Sequence, residues 1–338
     1  MNAGLTEVLT TPRAFPSIEL SRFISGSHDD QKRFCTEFVG ALKTFGFVSL
    51  TRHGIDDVTV EEAIDWNRRF HALPVDIKLK AAHPKVAIPH RGYCYVGQEV
   101  VSNLTEQSTR HRHGSTVVDI KETFDQGLED DQLCLNRWVD ESDLPGFRSF
   151  MEAFFHICHA VHIVLLRCIE IGLELKPDTF VSRCSANTSE LRLTHYPACD
   201  AETIRSGKAN RISEHTDFGT LTLLFQDNVG GLEIEDQTHH GTYLPIVERR
   251  GEVIVNIGDC MQRWTNNVLV STKHRVRLPV DYAEPRLGDR YSIAYFAKPG
   301  RDENVATLDE FISPSFPAKY GAMTAWNYFQ ARLNMLFV

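Results

Sequence analysis

No part of this sequence gathers Lys and Arg. Its 338 residues include 36 Lys or Arg and 45 Asp or Glu, a formal net charge of -9, and no stretch concentrates the bases. A nucleic-acid binder needs a basic face to displace counterions from phosphates, so no nucleic-acid partner is expected, although a local basic pocket remains compatible. No uninterrupted apolar run approaches the ~20 residues of a bilayer-crossing helix, so no membrane partner is expected either. The eight cysteines (35, 94, 134, 158, 168, 184, 199 and 260) contain no C-x-x-C pair, which sets aside a zinc ribbon and a thioredoxin-type motif. They are too sparse for a disulfide scaffold, and reduced, mostly buried thiols are expected. Residues 1–15 carry Glu7, Thr10, Thr11, Pro12 and Arg13 and no apolar signal core. The chain closes on Leu336-Phe337-Val338, which is no retention tag, so the cytoplasm is the expected compartment. Repeats, low-complexity tracts and long Gly/Ser linkers are missing. What is present is ordinary globular usage, 42% hydrophobic and 24% charged, in a chain long enough to bury a large core.

The texture changes along the chain. From Asp29 to Lys80 it is helical: Phe34, Phe38, Ala41, Leu42 and Phe45 recur at spacings of three and four, with Ser27 or Asp29 as cap. Gly46 breaks the run, and Phe47 to Leu50 reads as a short strand. Further helices are expected over Val60–Lys80 and Pro145–Leu175. After Pro177 the pattern turns to short strands between Gly-, Pro- and Asp-rich turns: Leu191–Tyr196, Thr220–Phe225, Leu232–Ile234, Val253–Ile257, Val268–Val270, His274–Leu278 and Tyr291–Phe296. A helix over Ala318–Leu336 closes the chain. Many short strands predict a sandwich, barrel or jelly roll. The expected organisation is a mainly helical region, residues 1–175, packed on a β core, residues 176–338, as one functional unit.

Chemistry concentrates in Glu214-His215-Thr216-Asp217-Phe218-Gly219. His215 and Asp217 are two apart, so on an extended segment they point the same way. One further histidine would complete two imidazoles and one carboxylate, a facial set that suits Fe(II) and leaves positions open for substrate-derived ligands and O2. His274, 57 residues beyond Asp217, is the candidate. Arg290 and Ser292 share one strand face, where a guanidinium fork and a hydroxyl can hold a carboxylate. Arg192, Thr194 and Tyr196 share another face. Arg192 suits either a substrate contact or a structural ion pair. Tyr93 and Tyr95, in a Gly-bracketed segment, are candidates to reach over the site.

Taken together these residues resemble the Fe(II)/2-oxoglutarate-dependent dioxygenases of the isopenicillin N synthase-like group. The resemblance covers nearly the whole chain. It runs through Phe15–Ser21, Gly46-Phe47-Val48, His53-Gly54, Arg91-Gly92-Tyr93, Asp119–Phe124, the H-x-D, the distal histidine and R-x-S, in that order. It implies a mostly β core with flanking helices, a cupin-like double-stranded β-helix or jelly roll. It implies iron on His215, Asp217 and His274, and 2-oxoglutarate bound by Arg290 and Ser292 with the phenol of Tyr196. Thr194 stands where the family usually has Asn. The step from His274 to Arg290 is sixteen residues instead of about ten. That shift of six is even and preserves the strand facing; Arg286 is the weaker alternative. Fungal thymine-hydroxylating members are especially similar over Leu191–Leu193, Thr222–Asp227 and Arg290–Phe296, which implies a substrate pocket lined by Arg192, Phe218 and Phe296. The implied activity is 2-oxoglutarate decarboxylation coupled to C–H oxidation of a small molecule, most simply hydroxylation, in biosynthetic or secondary metabolism. A desaturase, a ring-expanding oxygenase and a 2-oxoglutarate-independent iron oxidase share the same centre.

Other histidines read as bystanders. His156, His159 and His162 run at spacing three on a helix, which rotates each away from the last. His111-x-His113, His239-His240, His83 and His90 fall in loops. His195 should face away from Thr194 and Tyr196, and Asp259 reads as a structural acceptor.

Overall fold

The computed structural model describes residues 15–104, 118–247 and 249–337. The first part of the chain runs β1 (Ser17–Glu19), α1 (Ser21–Ile24), α2 (His28–Phe45), β2 (Phe47–Thr51), α3 (Asp57–His71), α4 (Val75–Lys78), β3 (Gly92–Cys94), β4 (Val118–Asp119), β5 (Glu122–Gln126), α5 (Phe147–Gly172) and α6 (Val181–Cys184). There follow β6 (Glu190–Tyr196), β7 (Cys199–Asp200), α7 (Ala201–Arg205), β8 (Ala209–Asn210), β9 (Ile212–His215), β10 (Leu221–Gln226), β11 (Leu232–Glu235), β12 (Tyr243–Pro245) and β13 (Val253–Ile257). The chain ends with α8 (Asp259–Trp264), β14 (His274–Val276), β15 (Arg286–Leu287), β16 (Arg290–Phe296) and α9 (Ala325–Leu336).

An eight-stranded sheet, in the order β1-β2-β13-β10-β16-β6-β5-β3, faces a four-stranded sheet, β12-β11-β14-β9. Strands from both halves of the chain thus share the larger sheet. The period-two alternation of its central strands divides their side chains between two environments. Leu191, Leu193, Leu221, Leu223, Phe225, Val253, Val255, Ile257, Ile293 and Tyr295 turn outward and join the main apolar core with residues of α2, α3 and α5. The intervening residues turn inward, toward the second sheet, where Phe47, Leu232, Ile234, Ile254 and Val276 make a smaller apolar cluster. This is a double-stranded β-helix with helices on one face.

Helix α2 begins at a capping box in which Ser27 and Asp30 each accept from the other's backbone N–H. It stops at Gly46, whose φ of 69° ends the helix in the left-handed region. A Cβ there would lie 2.0 Å from Thr272 Oγ1. Helix α5 is 26 residues long and, by length and composition, apolar enough to cross a membrane. Short polar interruptions hide this in the sequence. In the fold Met151, Phe154, Phe155, Cys158, Leu165, Leu166 and Ile169 are buried in the main core. The eight cysteines are free thiols, seven of them buried.

Three sequence-based expectations are corrected. The helix expected over Val60–Lys80 starts earlier, at Asp57, and breaks before α4, because Pro74 cannot continue the hydrogen-bonded ladder. Val268–Val270 is not a strand. Asn266 and Asn267 have φ of 51° and 69°, and the N–H of Leu269 donates to Thr265 Oγ1 instead of to a neighbouring strand. The closing helix begins at Ala325, capped by Thr324, not at Ala318. Upstream backbone groups are taken elsewhere: Lys319 N–H donates to Asn266 Oδ1, and Met323 C=O accepts from Val305.

Candidate active site

His215 ends β9 and His274 opens β14, and the two are direct cross-strand partners. Their rings lie 4.3 Å apart. Asp217 sits two residues beyond β9, in the turn before β10, with Oδ1 3.8 Å from His215 Nε2 and 3.7 Å from His274 Nε2. One ligand atom from each residue lies within 4.8 Å of the other two. Gly219 lets this turn close on the sheet: a Cβ there would sit 2.1 Å from Ala297 O, the carbonyl that accepts from Thr220 N–H.

Each candidate ligand is oriented from behind. His215 Nδ1 is 2.8 Å from Ser213 O and His274 Nδ1 is 3.2 Å from Thr272 O. A ring that donates through Nδ1 presents the lone pair of Nε2. Thr222 Oγ1 and Asn256 Nδ2 both donate to Asp217 Oδ2, at 2.6 and 2.7 Å, which leaves Oδ1 free. Burial opposes the Asp217 charge, but His274, His215 and those two donors outweigh it and hold the pKa below the ordinary range. Burial, then the neighbouring His274, lowers His215 to about 3, so its imidazole is neutral.

The set opens into a cavity with about 120 Å³ open to the centre of a water-sized sphere, far more than the ~10–15 Å³ that one water needs. Inward residues of the larger sheet line it: Arg192, Thr194 and Tyr196 of β6, Thr222 and Leu224 of β10, Asn256 of β13, and Arg290, Ser292, Ala294 and Phe296 of β16. Antiparallel register pairs Arg290 with Tyr196 and Ser292 with Thr194, so four residues singled out in the sequence form one patch. Asn67, behind the sheet, donates to Thr194 O and Ser292 O and locks the two strands together. Arg290 is 1% exposed. Its Nη2 donates to Gln226 Oε1 at 2.6 Å, its guanidinium lies 4.8 Å from the Tyr196 ring centre, and its Nε has no partner. No carboxylate lies within ion-pairing distance among the described residues. Arg286, by contrast, is exposed on β15 opposite Asp200. The longer His274–Arg290 segment therefore holds a small extra strand pair with β7 and keeps the register.

Phe218 projects beside the metal-ligand set, and Val101, Leu104, Leu333 and Leu336 complete that side of the cavity. The 3-10 turn Val101–Leu104 is tied to the end of α9 by Val100 N–H donating to Leu336 O. Tyr93 does not reach over the site. It pairs in register with Phe124, so it shares the outward face of the sheet, packs edge-on against Phe70 and hydrogen-bonds Glu122. Tyr95 is exposed and lines no part of the cavity.

The remaining histidines follow the sequence expectation with one exception. His156 pairs with Glu129, His159 contacts Tyr295 and His162 contacts Thr220, three different partners. His195 turns outward to Glu122 and Asp289, and Asp259 accepts from Tyr328. His111 and His113 lie outside the described residues. The exception is His90, a loop residue that is buried and lines the cavity. Together with Glu99 and Asp125 it forms a second group with metal-ligand spacing. The Arg192 guanidinium fills that position, donating to Glu99 and Asp125 with Nη2 2.9 Å from His90 Nε2.

Residues 15–141 match the non-haem dioxygenase in morphine synthesis N-terminal family, and residues 187–299 match the 2OG-Fe(II) oxygenase superfamily. The 2-oxoglutarate-Fe(II) type oxidoreductase ppzD of Metarhizium rileyi is 48% identical over 329 residues, covering 97% of this chain and 93% of that protein. The chain belongs to the 2OG-Fe(II) oxygenase superfamily. The proline hydroxylase buaE of Petromyces alliaceus is 45% identical over 318 residues, 94% of this oxygenase and 97% of its own length. The crystal structure of a full-length Neurospora crassa protein in complex with alpha-KG and thymine matches with a TM-score of 0.85 at 32% identity, over 94% of this chain and 96% of that one.

The oxygenase is a 2-oxoglutarate-dependent dioxygenase, and Fe(II) and 2-oxoglutarate are its cofactor and co-substrate. Its own residues fit both groups. The converging donors of His215, Asp217 and His274 suit a divalent iron, and the buried, acid-free Arg290 suits a carboxylate. Sequence reasoning missed Thr222 and Asn256 behind Asp217, Gln226 behind Arg290, and the charged wall residues His90, Lys121, Glu190 and Lys298. The signal for Lys298 was present, since it follows Phe296 at the spacing that keeps one face.

Proposed function

We propose that this oxygenase hydroxylates a small molecule of biosynthetic or secondary metabolism, with His215, Asp217 and His274 holding the iron. Arg290, Ser292, Tyr196 and Thr194 receive 2-oxoglutarate, and Arg192, Phe218 and Phe296 bound the substrate space. The observation that carries this reading is the meeting of three pre-oriented donors with an acid-free buried guanidinium in one cavity. Iron, 2-oxoglutarate and O2 supply the oxidising chemistry when bound. The protein's part is geometric. Ser213 and Thr272 carbonyls fix the imidazoles, Thr222 and Asn256 keep Asp217 ionised and single-faced, and Arg290 with Ser292 fixes the far end of the co-substrate. Phe218, Leu333 and Leu336 exclude water from the remaining space. The relatives support a substrate of modest size: one is named a proline hydroxylase, and the Neurospora crassa protein is seen with thymine. We also propose that residues 1–175 and 176–338 act as one unit, a reading supported by the shared sheet.

The test is an anaerobic titration of Fe(II)-loaded protein with 2-oxoglutarate, reading the weak visible metal-to-ligand charge-transfer band. A saturable band that requires much more 2-oxoglutarate in Arg290→Gln supports the assignment. Iron bound without any band refutes 2-oxoglutarate chelation here and favours an oxidase whose substrate binds the iron itself.

A further inference from the structure

Three arginines are almost wholly shielded from solvent: Arg91, Arg211 and Arg290 are 1%, 0% and 1% exposed. Burying a guanidinium is costly unless an acid offsets its lost hydration. For Arg91 that acid is present, since Glu190 and Asp131 both pair with it. Arg290 faces the co-substrate space without an acid, as a carboxylate receptor should. Arg211 belongs to no recognised motif and yet shares that condition. It sits between β8 and β9, and its Nη2 donates to Gly288 O. Its Nε and Nη1 have no hydrogen-bond partner among the described residues.

The placement of Arg211 ties it to Arg290. Gly288 is two residues ahead of Arg290, where the chain enters β16, so this bond fastens the smaller sheet to the start of that strand. Arg211 does not line the cavity, but its neighbour Ile212 does, as do Tyr196 and Arg290. Burial, then the charge of Arg290, lowers the Arg211 pKa, yet a guanidinium keeps its proton in a protein. Asp227 acts on Arg211 from farther off, and its two oxygens are engaged by the backbone N–H groups of Val229 and Tyr291. The Gln226 amide gives its Oε1 to Arg290 and leaves its own Nε2 without a partner. The far end of the co-substrate site therefore holds two cations and several unused donors, where R-x-S alone supplies one cation. Two uncompensated like charges repel each other strongly inside a protein. A carboxylate arriving at Arg290 relieves both.

We propose that Arg211 is a positioning residue of the co-substrate site, whose buried charge behind Arg290 selects keto acids that carry a second carboxylate. This rests on the reading of Arg290 as the receptor for 2-oxoglutarate. It goes beyond that reading by making discrimination against mono-acids depend on a cation outside the R-x-S pattern. Arg211 lines no part of the cavity, so it acts through its field and not by contact. Its effect falls on the far carboxylate and spares the chelating end of the co-substrate.

The experiment titrates Fe(II)-loaded protein under nitrogen with two probes, 2-oxoglutarate and 2-oxopentanoate, reading the charge-transfer band. The second probe keeps the chelating keto acid and lacks the far carboxylate. Arg211→Gln should weaken 2-oxoglutarate by about tenfold or more, the order expected of one unit charge acting across ~10 Å at an effective dielectric of ~20. It should leave 2-oxopentanoate within about twofold of wild type, and Arg211→Lys, which keeps the charge, should retain most of the preference for 2-oxoglutarate. A merely structural role for Arg211 predicts parallel weakening of both probes. Parallel weakening, unchanged 2-oxoglutarate affinity in a folded Arg211→Gln, or loss of the preference in Arg211→Lys overturns the proposal. Metal-free wild type supplies a reading that needs no variant: 2-oxoglutarate should raise its Tm more than 2-oxopentanoate does, and equal rises overturn the proposal. A wild-type band with parallel loss in Arg211→Gln sinks only the role of Arg211, whereas iron bound without any band in wild type sinks the reading of the co-substrate site itself.

Discussion

The support behind Asp217 offers the sharpest quantitative test of the site. Thr222 and Asn256 lie on the inward faces of β10 and β13 and are themselves cross-strand partners. Both donate to the same carboxylate oxygen. Thr222→Val with Asn256→Leu removes both donors with little change in volume. A hydrogen bond to a charged group contributes ~1.5–3 kcal/mol, and losing a partner behind a metal ligand typically costs ~10–100-fold in metal affinity. The two donors serve one oxygen, so their effects overlap instead of multiplying fully, and the double variant should bind metal about 10²–10³-fold more weakly. The sign of the pH effect follows from the same geometry. The Asp217 pKa is held low in the folded protein; removing two causes of that depression raises it, so acid should abolish metal binding at a higher pH in the variant than in wild type. The assay is calorimetric titration of chelator-stripped protein with Mn(II) across the acid range, with circular dichroism to establish folding. Phe218→Ala serves as control, because it leaves every donor intact. A folded double variant with wild-type affinity and the same acid limb would refute the claim that these two side chains prepare Asp217.

Three further outcomes are expected. Phe218→Ala should weaken substrate binding while leaving substrate-independent 2-oxoglutarate decarboxylation unchanged; equal loss of both in a succinate assay would make Phe218 a structural residue. Tyr93→Phe should leave substrate KM unchanged and lower stability by about 1–3 kcal/mol, because Glu122 loses a buried donor; a raised KM with unaltered Tm would return Tyr93 to the substrate site. His90, raised from 6.5 to about 9, contributes stability that is complete below pH 6.5 and lost as pH rises through about 9. At about 1.4 kcal/mol per unit this is on the order of 3 kcal/mol, so Tm should fall over that window in wild type and fall much less in His90→Gln. Parallel Tm curves for the two proteins would contradict the buried charge on His90.

The outward and inward faces of the sheet explain which parts of the site were legible in the sequence. Strands β6, β10, β13 and β16 put a large apolar residue at most outward positions, so spacing alone paired Thr194 with Tyr196 and Arg290 with Ser292 and set His195 on the opposite face of its strand. The metal-ligand set was legible for a similar reason: H-x-D is local, and only His274 had to be brought across a strand pair. β5 was not legible as a strand. Its sequence Glu122-Thr123-Phe124-Asp125-Gln126 is mostly polar, yet all five residues are buried. Its polar side chains are matched by residues far away in sequence, Lys78, His195 and Arg192. Pattern reading assigns polar residues to solvent, and only tertiary pairing reverses that.

The same blindness produced the error at Tyr93 and the ambiguity at Arg192. Tyr93 follows β5: once Phe124 is outward, its cross-strand partner must be outward too, and no local pattern in Arg91-Gly92-Tyr93 reveals this. Arg192 is opposite Asp125 in the β5–β6 register, so it is an ion-pairing residue and a cavity residue at once. Its commitment to Glu99 and Asp125 alters what the cavity offers a ligand. A guanidinium held by two acids has lost most of its freedom to orient toward a substrate, and the less committed cations beside it are the ammonium groups of Lys121 and Lys298. The polar strand that sequence reasoning overlooked thus sets the charge of this cavity wall, because β5 supplies the acid that turns Arg192 sideways.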